Sequence, residues 1–60
     1  MNDIIKKQIL AIRETGETNM FDIRVVTDIA FREGYVELLE YLANRKSNYI
    51  HFILTGEDKI

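Results

Sequence analysis

The chain has 60 residues, of which 47% are apolar and 30% charged, with a net charge of −2 and neither cysteine nor proline. The length fits one domain that buries only ~60% of the surface its unfolded form exposes. Without cysteine, disulfides, thiolate chemistry and cysteine-based zinc sites are excluded, and a single histidine cannot build a His-rich site.

The start, Met1 to Lys7, does not read as a signal peptide. Lys6 and Lys7 interrupt it, and no apolar core of ~7–15 residues with a small-residue cleavage site follows. A cytoplasmic location is expected, and the absence of cysteine fits that compartment. A helix is predicted from Asp3 to Thr15, capped by Asn2 or Asp3, whose short side chains accept from the free amides of the first turn. Ile5, Ile9 and Ile12 fall on one face with Leu10 beside them, while Lys6, Lys7, Arg13 and Glu14 lie largely elsewhere. Gly16 stops this helix, as Gly34 and Gly56 stop later ones, by reaching the left-handed conformation cheaply.

The connection Gly16–Phe21 contains Thr18, Asn19 and Met20. An exposed Met20 beside an exposed Phe21 would make an adaptable contact surface. A domain this small needs every apolar side chain it has, so the plainer expectation is that both fold back as lids on the core. Asp22 is the predicted cap of the second helix, and Phe21 before it is placed to pack on Val26 as a hydrophobic staple. Val26, Ile29 and Ala30 continue the buried face. Val25 and Phe31 lie off it, available to another helix or to a partner.

The third helix is expected over Tyr35–Asn44, with Tyr35, Leu38, Leu39 and Leu42 inward and Glu37 and Glu40 in water. The fourth should begin near Ser47 and end at Gly56, because a continuous helix would put Lys46 on the core side between Leu42 and Tyr49. Tyr49, Ile50, Phe52, Ile53 and Leu54 make the last helix apolar around much of its circumference. Three short helices cover one broad face, which leaves apolar side chains for a second molecule. The expectation is an all-α bundle of four short helices, with a homodimer formed at the last one and His51 facing its symmetry mate.

The pattern Ile29–Ala30 followed by Gly34 has helix-turn-helix spacing. The position ten after Ala30, an aliphatic one in that motif, is Glu40. The helix that would read bases offers Glu37 and Glu40 and no basic residue before Arg45, within an acidic middle segment. Nucleic acid is therefore the weaker expectation. His51 has Asn48, Tyr49 and Thr55 as sequence neighbours, which complete no catalytic constellation. Glu33, Glu37 and Glu40 read as a solvated face, since no Asp-rich calcium loop accompanies them. No glycine-rich phosphate loop, Gly-x-Ser-x-Gly or His-Glu-x-x-His occurs. The chain is expected to have no catalytic residues, cofactor or metal, and no membrane span.

Taken together, Asn19-Met20-Phe21-Asp22, Ile29-Ala30-Phe31, Glu37-Leu38 and Tyr49-Ile50-His51-Phe52-Ile53 resemble a family of very short proteins encoded by phages and prophages, a domain of unknown function. The resemblance runs from Ile9 to Gly56 and carries no assigned functional residues. It implies a phage-derived accessory protein that binds a host or phage protein, such as an inhibitor of a host defence factor. The contact residues expected are Tyr49 to Leu54, with Met20, Phe21 and Phe31. The alternative expectation is a small helix-turn-helix regulator.

Overall fold

Asn2 opens the first helix, α1 (Asp3–Thr15), by accepting from the Ile5 amide at 2.8 Å. Asp22 opens α2 (Ile23–Glu33) in the same way through the Val25 amide, over a longer 3.3 Å. Then follow α3 (Val36–Asn44) and α4 (Lys46–Thr55). The computed structural model describes residues 1–56, and no strand occurs among the described residues. The class is all-α, as the helical periodicity of every segment requires.

Gly16 and Gly34 close α1 and α2 at φ 67° and 74°, a region that costs other residues Cβ strain. The Gly34 turn lets the Tyr35 amide return to the Ala30 carbonyl at 2.8 Å. α3 therefore starts one residue later than expected, with Tyr35 as its cap residue and no side-chain cap of its own. The missing cap comes from another helix. Gln8 Oε1 on α1 accepts from the Leu38 amide at 3.0 Å.

α3 and α4 are separate helices. Arg45 takes φ −137° and ψ 45°, and it serves as the last cap of α3 and the first of α4. The break keeps Lys46 exposed while turning Tyr49 fully inward, the exchange that burial energetics favour.

α3 sits at the centre, packing on α1, α2 and α4, and α1 also packs on α2. The core is built from Ile5, Ile9 and Ile12 of α1, Val26, Ile29 and Ala30 of α2, Leu38 and Leu42 of α3, and Tyr49 of α4, closed by Met20. Tyr35 and Leu39 pack against it half-buried. Met20 and Phe21 part company. Met20 is a core lid, whereas Phe21 stays 46% exposed and lies outside the core cluster. Phe21 is thus no member of the buried core at the start of α2. The Asn19 side chain accepts from the Phe21 amide at 2.9 Å in a local turn, and Ile23 rather than Phe21 packs against the core at the start of α2.

Candidate interaction surface

α4 is more one-sided than its composition suggests. Tyr49 has no exposed surface, and its hydroxyl donates to the Met20 carbonyl at 2.7 Å. Burial pushes that phenol up to about 12. Ile50, Phe52 and Ile53 lean on the core half-buried, and His51 is half-buried as well. Leu54 is 68% exposed. Tyr49 is therefore withdrawn from any surface that a partner could touch, and Met20 lies on the outside only as the floor of a groove. Within the expected contact set, that surface reduces to Ile50–Leu54, Phe21 and Phe31.

The backbones of α1 and α4 do not approach each other closely. Between them lies a groove of about 570 Å³, floored by Ile9 and Met20 and walled by Leu10, Arg13, Phe52 and Ile53. Among the described residues, Arg13 is its one charged lining residue. The groove joins residues from three parts of the chain, Leu10 among them. Phe31 stands apart from it on α2, 76% exposed, more than any other large apolar side chain described.

At the end of the molecule where α1 leaves and α2 finishes, Arg32 clasps Glu17. Its two terminal nitrogens donate to the two carboxylate oxygens at 2.9 and 2.8 Å, and its Nε donates to Glu33 at 3.0 Å. Hydrogen bonding to Arg32 holds the Glu17 carboxyl below its usual value, and the same bonds raise Arg32. This pair escaped the sequence reading, since fifteen residues of separation follow no helical spacing.

The groups considered for chemistry remain dispersed. The His51 ring makes no hydrogen bond among the described residues. Glu33, Glu37 and Glu40 are exposed, and no cluster of three metal-ligating side chains occurs among the described residues. Glu40, ten residues after Ala30, is likewise exposed on α3. No described helix is long and apolar enough to cross a membrane. No curated protein and no solved structure matches the chain. From residue 1 to residue 57 it matches the family model of the domain of unknown function DUF5049, and it belongs to that family.

Proposed function

We propose that the chain is a non-enzymatic helical interaction module that acts as a homodimer with α4 at or near its two-fold axis. The observation that carries this reading is the apolar ground left uncovered along α4, the α1–α4 groove with Leu54 beyond it. A marginal domain gains from covering such a surface, because each large apolar side chain fully buried stabilises by ~1.5–3 kcal/mol. The resemblance to short phage and prophage proteins supplies the setting: an accessory factor of a phage, or an inhibitor that binds a host protein in the cytoplasm.

Light scattering at micromolar concentration tests the reading. A particle of about twice the 7.1 kDa chain mass is expected. A folded monomer at high concentration would sink it.

DNA binding through the α2–α3 corner is the weaker alternative, because the exposed side of α3 presents Glu37 and Glu40. Titration of a generic duplex at low salt separates the two, since phosphate contacts release counterions and give a steep salt dependence. The module should leave the duplex unbound.

A further inference from the structure

We infer that Phe31 of one copy seats in the α1–α4 groove of a second copy, with Asp28 against Arg13, and that this contact is made twice around a two-fold axis. The inference rests on the homodimer reading above and supplies its interface.

The knob and the hole are both on this chain. Phe31 is 76% exposed, so most of its apolar surface adds nothing to the fold of a domain with no surplus of apolar side chains. The groove, at about 570 Å³, has ample room for its ring, given that ~150 Å³ suffices to hold benzene. Among the described residues the groove walls are apolar apart from Arg13, so an occupant should bring an apolar group with one carboxylate beside it. Phe31 has that company. Asp28 precedes it by three residues and is its neighbour on the α2 surface. Leu10 and Arg13 share the same spacing on α1. One helical turn on each side thus pairs ring with aliphatic wall and carboxylate with guanidinium. Among the described residues, neither Asp28 nor Arg13 is held in an ion pair within the chain.

The Arg32–Glu17 clasp decides how the contact closes. Arg32 follows Phe31 directly, and Glu17 lies two residues beyond the end of α1. The groove runs beside the last turns of that same helix, through Leu10 and Arg13. Knob and hole are therefore at one end of the molecule. A complementary pair so placed can be satisfied reciprocally by two copies, where knob and hole at opposite ends would build a filament.

Sedimentation equilibrium on the full chain tests this. Phe31→Ser and Leu10→Asp alter exposed positions, so both variants should keep the helical circular dichroism of the parent. Each should raise the dimer dissociation constant about tenfold or more, as loss of a central apolar anchor does. An equimolar mixture of the two should associate more tightly than either alone, because the first keeps its groove and the second keeps its Phe31. Arg13→Asp should weaken the dimer, and adding Asp28→Arg to it should restore affinity. A Phe31→Ser chain that dimerises like the parent, or a mixture no tighter than its components, overturns the contact while leaving the homodimer standing. A monomeric parent overturns the homodimer itself.

Discussion

The Tyr49 hydroxyl and the Met20 carbonyl, 29 residues apart, share a buried hydrogen bond of 2.7 Å. The α4 backbone approaches α3 closely and neither α1 nor α2, so this bond is a specific polar tie between the last helix and the connection between α1 and α2. Tyr49→Phe keeps the ring and removes the donor, leaving a buried carbonyl unpaired. A loss of ~1–3 kcal/mol is expected from urea unfolding. The same change at Tyr35, which is half-buried, should cost much less. Equal losses at the two positions would mean that the bond does not hold α4.

The same tyrosine gives the protein an alkaline limit. Its phenol is raised by burial from 10.0 to about 12, so the folded chain keeps a proton that the unfolded chain releases. The stabilisation is fully present below pH 10.0 and is lost as pH rises toward about 12. Ultraviolet titration should find the Tyr49 phenol ionising late, with stability falling over that window. In Tyr49→Phe this contribution to the slope should vanish.

Gln8 caps α3 from outside. A helix without its own capping side chain gains a donor's partner from α1 through the 3.0 Å bond to the Leu38 amide. Gln8→Ala should therefore destabilise by ~0.5–2 kcal/mol, the ordinary cost of losing a cap. Hydrogen exchange should quicken at the first turn of α3 rather than within α1. Faster exchange confined to α1 would show that Gln8 matters only to its own helix.

The helices were legible because their signals are local. Asn2, Asp22, Gly16, Gly34 and the spacing of Ile5, Ile9 and Ile12 each act within one or two turns, and they stand where the periodicity placed them. The Arg45 break was legible too, from the misfit of Lys46. What escaped is tertiary. Nothing near Tyr49 in sequence reveals that Met20 will offer it a carbonyl, and nothing near Leu38 reveals Gln8. The apolar run Tyr49–Leu54 was weighed by composition, whereas its burial depends on direction. Tyr49 turns fully inward, Ile50, Phe52 and Ile53 are half-buried, and Leu54 alone among the apolar residues of that run is mostly exposed. The groove beside α4 likewise depends on how far α1 and α4 stand apart, which no spacing encodes.

The start of α2 separates two roles that the sequence joined. Asp22→Ala should cost ~0.5–2 kcal/mol through its cap, toward the lower end because the bond is 3.3 Å long. Phe21→Ala should cost about 0.5 kcal/mol, as for a side chain that stands largely outside the buried core. Urea midpoints of the two variants check the order. A larger loss for Phe21 would restore the staple on Val26.

Leu54 is where α4 can be tested without disturbing the core. Phe52 and Ile53 pack on buried residues, so a charge at either would damage folding and association together. Leu54 is 68% exposed, near the end of the helix, and in a monomer Leu54→Glu should leave the unfolding midpoint almost unchanged. With α4 near the two-fold axis, the same change places two carboxylates close together where two leucines met, and like charges there repel. The variant should be a folded monomer at micromolar concentration, recovering some dimer in high salt as the repulsion is screened. A Leu54→Glu chain that dimerises as the parent does would move the axis away from the last turn of α4, and the contact between copies would then rest on Phe31 and the groove alone.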